Sequence, residues 1–248
     1  MMTKDVNVNQ LANAVMWWLS YTSAVGRNYV LSEGSIKFPV SEYLERSTID
    51  EIELEYGHPK LSRKRFDLFF KKNSAEKIFF EFKYIKNGST RTQDEKQRVF
   101  NDLMRLHLIH DTDNKAYFLI CGNQSDFIKD FQKISPNKDQ FITPRQKDSL
   151  PTKIISEGFY TKWFSFDANL PDKEIDLNDT VKEYKDIYDL FFKEYAGPHL
   201  AKTMTALDRP DRIKTSLVFL SGNLEQPTGL FQPAKIGIWE ISKASNYS

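Results

Sequence analysis

The chain has 248 residues, enough for one large domain or two small ones, and its 40% hydrophobic content supports a substantial core. Its 35 Lys and Arg nearly balance 34 Asp and Glu, which excludes a globally basic nucleic-acid binder and leaves polyanion contact to local patches. Cys121 is the only cysteine, so intrachain disulfides and thiolate zinc sites are excluded; no signal-like N-terminus or membrane-length apolar run is visible, and a soluble, cytoplasmic protein without membrane contact is expected.

Residues 9–24 (NQLANAVMWWLSYTSA) predict an amphipathic helix with an asparagine cap, docked on a sheet by Trp17 and Trp18. Glu33 and Gly34 interrupt the pattern, and residues 39–45 read as a short second helix. Residues 49–56 (IDEIELEY) alternate apolar with acidic, as a half-exposed strand does. Residues 57–64 form a turn in which Lys60, Arg63 and Lys64 gather just before Arg65. His58 in the same turn is read as exposed and has no role.

Residues 65–86 (RFDLFFKKNSAEKIFFEFKYIK) read as two strands joined by a polar turn centred on Ser74. In that register Phe70 faces Ile78, Leu68 faces Phe80 and Phe66 faces Phe82 on one side of the sheet. On the other side Phe69 faces Phe79, Asp67 faces Glu81 and Arg65 faces Lys83. Apolar side chains on both faces predict an interior strand pair. Opposed residues have Cβ atoms roughly 4.5–5.5 Å apart, where like charges destabilise. A hard divalent cation between Asp67 and Glu81 removes that repulsion. Two carboxylates and the Lys83 ammonium on one face suit metal-assisted attack of water on a phosphodiester.

Asp67, followed after thirteen residues by Glu81-Phe82-Lys83, resembles the motif of the PD-(D/E)XK nuclease superfamily, although Phe66 stands where the motif's name has proline. The resemblance covers residues 35–122. It implies a restriction-endonuclease-like α/β fold: a mixed central sheet flanked by helices in the order αβββαβ, with a C-terminal α+β elaboration. It implies catalysis by Asp67, Glu81 and Lys83, with Mg2+ or Mn2+ held by Asp67, Glu81 and the Phe82 carbonyl. Relatives add a glutamate from the helix before the sheet, for which Glu42 and Glu45 are open candidates beside a plain surface role. Some relatives also place a glutamine on the following helix, where Gln97 either touches phosphate or bonds to backbone. Lys60, Arg63, Lys64 and Arg65 would contact the nucleic-acid backbone or form an ordinary turn. The implied partner is nucleic acid, DNA ahead of RNA, with a homodimer and a restriction or phage-defence setting as further expectations. An inactive relative that binds nucleic acid or protein is the alternative.

Residues 92–110 begin with a capping-box spacing at Thr92 and Glu95 and carry an apolar stripe from Val99 to Leu108, with His107 and His110 read as surface residues. Residues 115–121 form a central strand and residues 126–132 a helix. Residues 133–153 are polar, residues 154–166 hold two short strands, and residues 179–196 form a helix ended by Gly197 and Pro198. Residues 214–221 and 235–242 read as strands. One domain is expected, with its core over 35–134 and an elaboration over 154–248 that reads or clamps the substrate.

Overall fold

The computed structural model describes residues 7–46, 51–72, 76–86, 92–110, 113–132, 158–202, 204–224 and 233–244. The turn at Ser74, the end of the hairpin at 87–89, the polar stretch 133–153 and residues 154–157 lie outside the described residues. Helix α1 (Val8–Ala24) is capped by Asn7, whose Oδ1 accepts the Asn9 and Gln10 N–H groups. It docks through Leu11, Ala12, Val15 and Leu19, with half-buried Trp18 packed against the same cluster as expected; Trp17 is 71% exposed and does not make the contact expected of it. Helix α2 (Glu33–Glu45) starts six residues earlier than predicted. Reciprocal hydrogen bonds between Ser32 and Ser35 fix its first turn, overriding Gly34, and Pro39 is accommodated inside it.

The strands are β1 (Glu51–Gly57), β2 (Arg65–Lys72), β3 (Glu76–Ile85), β4 (Asn114–Asn123), β5 (Asp172–Asp176), β6 (Arg212–Leu220) and β7 (Ala234–Lys243). They form one mixed seven-stranded sheet in the order β1-β2-β3-β4-β7-β6-β5, parallel only between β3 and β4. Helix α3 (Gln93–Ile109) is the crossover between β3 and β4. The αβββαβ order is therefore present, and the C-terminal strands continue the same sheet beyond β4. Residues 158–166 are a 3-10 turn (Phe159–Lys162) followed by buried Trp163 and Phe164, not strands. The short α4 (Gln124–Asp126) runs into a π-helical turn, Phe127–Gln132, and α5 (Lys182–Leu190) into another, Phe191–Ala196.

Both sheet faces are covered. Helices α1 and α2 bury Leu68, Phe70, Ile78, Phe80 and Phe82, while α3 (through Phe100), α5 and Trp163 bury Phe69, Phe79 and Trp239 on the other side. Leu68–Phe80, Phe69–Phe79 and Phe70–Ile78 pair as expected. No helix among the described residues is long and apolar enough to cross a membrane.

In the parallel β3–β4 pair Ile85 lies opposite Gly122. A Cβ at Gly122 would lie 2.5 Å from the Ile85 carbonyl oxygen and 3.2 Å from its nitrogen, so backbone has to move to admit it. Gly122→Ala is expected to destabilise the protein by about 1–3 kcal/mol. Thermal melting would register this as a drop of roughly 2–4 °C per kcal/mol; an unchanged midpoint would show that the strands part without cost.

Candidate active site

The β2–β3 backbone ladder stops at Leu68 and Phe80. One residue further, the Asp67 carboxylate takes the place of a backbone acceptor, its Oδ2 receiving the Phe82 N–H at 2.8 Å. On the other side β1 skips the pairing of Glu55 with Asp67, and Glu55 adopts a left-handed φ of 58°. Both strands change face across this step. Ile52 and Leu68 pack on the α1–α2 side, whereas Tyr56 and Phe66 pack on the α3 side. The predicted opposition of Phe66 to Phe82 on one face is thus wrong: the β2–β3 ladder ends at Leu68 and Phe80, and beyond it Phe66 packs on the α3 side while Phe82 stays on the α1–α2 side. Lys37 of α2 pairs with Glu55 and lies 3.3 Å from Asp67 Oδ1.

Glu81 and Lys83 do share the α3 face. Glu81 is 1% exposed, and its Oε1 accepts from Arg105 Nε at 2.7 Å. The same guanidinium donates to Asp102 Oδ1 at 2.8 Å and to the Tyr195 hydroxyl at 2.6 Å. Lys83 is 7% exposed, with its Nζ 3.1 Å from Glu33, 3.2 Å from Glu95 and 3.7 Å from Asp102. Burial pushes the Glu81 carboxyl well above the usual carboxylate range; Arg105 opposes this, and Asp102 and Asp67 add to it. Burial likewise raises Asp102 and Glu33, against the pull of Arg105 and Lys83 on the former and of Lys83 on the latter. Burial alone would lower Lys83, but Asp102, Glu33 and Glu95 together outweigh it and hold the ammonium charged.

Glu33, Lys37, Glu55, Asp67, Glu81 and Arg105 line an open groove of about 540 Å³ together with Arg63, Lys64 and Arg65 at its rim, while Lys83, Glu95 and Asp102 lie behind its wall, linked to it through Glu33 and Arg105. Lys64 Nζ lies 4.0 Å over the Tyr195 ring. Lys60 is not on this rim. Its ammonium donates to the Leu108 carbonyl at 2.7 Å, near the C-terminus of α3, and faces a separate depression of about 970 Å³ that holds none of these carboxylates. Although that depression is the larger, the chemistry gathers in the smaller groove.

The supporting roles fall to other residues than those predicted. Glu42 and Glu45 are exposed, and Glu42 pairs with Arg46 at 2.8 Å; the glutamate that α2 directs at the site is Glu33. Gln97 turns to α5, donating to Asn101 Oδ1 and to the Ile187 carbonyl, away from the carboxylates. His58 is buried: its Nδ1 accepts the Lys60 and Leu61 N–H groups and its Nε2 faces the Arg105 carbonyl at 3.2 Å. Burial pushes its pKa down to about 4. His107 is buried as well, against the Ser242 carbonyl. Glu95, Asp102 and Arg105 were unexpected. They recur at helical spacing along the stripe of α3 that also carries Val99 and Leu106, and charges inside an apolar stripe are the signal that could have found them.

Among the described residues, no three His, Cys, Asp or Glu side chains converge as a preformed metal cage. No protein-family model matches the chain, and no curated protein or solved structure is similar to it. What stands is an α/β protein whose mixed sheet carries a buried, charge-rich groove floor.

Lys83 is the shared counter-ion of three carboxylates, so its removal should unmask their repulsion. Lys83→Met is expected to lower stability by about 3 kcal/mol or more, the scale for breaking a buried ion pair from one side. Thermal melting in a chelator checks this; a midpoint equal to that of the unmodified protein would mean that the three carboxylates do not depend on Lys83.

Proposed function

We propose that the chain is a metal-dependent endonuclease of the restriction-endonuclease-like, PD-(D/E)XK class, hydrolysing phosphodiester bonds, in DNA ahead of RNA. The observation that carries this reading is the gathering of Asp67 and Glu81 where the β2–β3 ladder opens, in one groove with Arg63, Lys64 and Arg65, with Lys83 two residues on from Glu81 and joined to the groove through Glu33.

The charge balance of the floor supports a divalent cation. Among the described residues Glu33, Asp67, Glu81, Glu95 and Asp102 pair with Lys37, Lys83, Arg105 and the exposed Arg98, and Lys37 is shared with Glu55, so carboxylates still outnumber their cations. Carboxylate oxygens suit magnesium or manganese. Magnesium is typically held by one or two carboxylates together with water and substrate phosphate, so the lack of a three-carboxylate cage is no obstacle. Asp67 and Glu81 would hold it, with the Phe82 carbonyl as a further ligand. When bound, such an ion polarises the phosphoryl group and acidifies a water. Lys83, kept charged by its three carboxylates, would donate hydrogen bonds to the attacking water or to the negative charge developing on phosphate. Arg63, Lys64 and Arg65 would take the flanking phosphates and set the register of the strand without reading its sequence.

One observation favours the alternative of binding without cleavage: Arg105 already neutralises Glu81. Incubating the protein with single-stranded, duplex and branched DNA and with RNA, in magnesium and in manganese, separates the two. Cleavage lost in Asp67→Ala and Glu81→Gln, and reduced about 10²–10³-fold in Lys83→Ala, is the expected result. A folded protein that binds these nucleic acids and cuts none would establish the alternative.

The rim makes a separate prediction. Replacing Arg63, Lys64 and Arg65 by glutamine should weaken binding to all sequences alike and flatten the dependence of log affinity on log salt by about 1 per lost contact. Filter binding across a salt series would measure it, and an unaltered slope would take the rim out of the interface.

A further inference from the structure

We propose, resting on the nuclease reading, that Arg105 is an exchangeable counter-ion for Glu81: it neutralises that carboxylate while the groove carries no divalent cation, competes with the cation for it, and is itself held in place by Tyr195 and Asp102.

The case begins with how the guanidinium divides its donors. Only Nε goes to Glu81, through a single bond of 2.7 Å. The two terminal nitrogens go elsewhere, Nη2 to Asp102 at 2.8 Å and Nη1 to the Tyr195 hydroxyl at 2.6 Å. A guanidinium committed to one carboxylate would grip it with two parallel bonds. This one is anchored from two sides and touches Glu81 with its remaining edge. Releasing Glu81 therefore costs Arg105 one hydrogen bond and leaves it a carboxylate partner, so the exchange does not strand a buried cation.

Electrostatics supplies the competition. A divalent ion on the Glu81 carboxylate would sit within a few ångströms of the guanidinium, and like charges at such separations repel strongly in a poorly hydrated site. Glu81 is 1% exposed, and to stay ionised there its carboxylate needs a cation beside it, since an unpaired buried carboxylate is costly. Arg105 meets that need in the metal-free protein. Metal binding is then reduced by the fraction of time the pair is open.

The anchor comes from the far end of the chain. Tyr195 lies in the turn that follows α5, 90 residues after Arg105, and Lys64 of the rim stacks on its ring. Tyr195 and Arg105 both line the groove, so the C-terminal half sets how firmly the internal cation is held. Arg105 acts through Glu81 and is a positioning residue.

Calorimetric titration with manganese of the full-length protein, Arg105→Met and Tyr195→Phe, all at one near-neutral pH, tests this. Arg105→Met removes the competing charge and keeps an apolar stem. Tyr195→Phe removes only the hydroxyl and keeps the ring under Lys64. If the pair is closed nine-tenths of the time, Arg105→Met should bind manganese about tenfold more tightly, with Tyr195→Phe between it and the unmodified protein. Arg105→Met should also melt lower in chelator and gain more from manganese than the unmodified protein does. A merely structural arginine would give the opposite, weaker binding in its variant. Manganese bound by the unmodified protein and equally or less tightly by Arg105→Met would overturn the proposal while leaving the nuclease reading in place. Manganese bound by neither protein, both folded, would overturn both.

Discussion

A carboxylate buried inside a sheet covered on both faces has to find positive charge, and Glu81 imposes that requirement on everything around it. Arg105 answers from α3, and the same residue's carbonyl faces His58 Nε2 in the loop between β1 and β2. The Nδ1 of His58 in turn accepts the Lys60 and Leu61 N–H groups, so that loop is tied down just before Arg63 and Lys64. One turn of α3 thus fixes both the acidic floor, through its side chain, and the approach to the basic rim, through its backbone. A protonated His58 would lose the two amide contacts at Nδ1, which is the physical counterpart of its depressed pKa.

The C-terminal half is part of this construction. Strand β7 pairs along β4, and behind the sheet Tyr188 packs 4.7 Å from Phe100 of α3. The Trp163 indole donates to the Tyr188 hydroxyl, and Thr215 of β6 donates to the Trp163 carbonyl. These buried contacts press α5 against α3 and carry the following turn, with Tyr195, to the groove. A polar residue so placed has its position set by an apolar layer, which is how packing confers precision on a site.

The sequence was most informative where geometry is local. Alternation made the β2–β3 register readable, and with it the placement of Glu81 and Lys83 on one face. The capping residue and apolar stripe likewise revealed α3. It was least informative where one residue reverses a local rule. Glu55 adopts a left-handed conformation beside the step at which Tyr56 and Phe66 pack on the other face, and a Ser32–Ser35 capping box outweighs Gly34 and brings Glu33 into the helix. Neither event follows from residue type, since glutamate rarely adopts positive φ and glycine usually weakens a helix. The ion partners were hidden for a different reason. Arg105 is 24 residues from Glu81 and Tyr195 is 90 from Arg105, and only the packed sheet brings them together. The buried histidines misled in the same way: their partners are backbone carbonyls and amides, which have no signature in composition.

Near-neutral net charge does not mean an even distribution of charge. The groove sets Glu33, Glu55, Asp67 and Glu81 beneath a rim of Arg63, Lys64 and Arg65. A field of this kind attracts a phosphate backbone to the rim and repels it from the floor. In a nuclease built this way, a divalent cation on the floor would do more than chemistry. By offsetting the carboxylates it would let a phosphate descend from the rim to the reacting groups, so that substrate engagement and metal loading become the same event. The carboxylates of the floor are then what would make productive binding conditional on the ion, where a uniformly basic groove would hold nucleic acid with or without it.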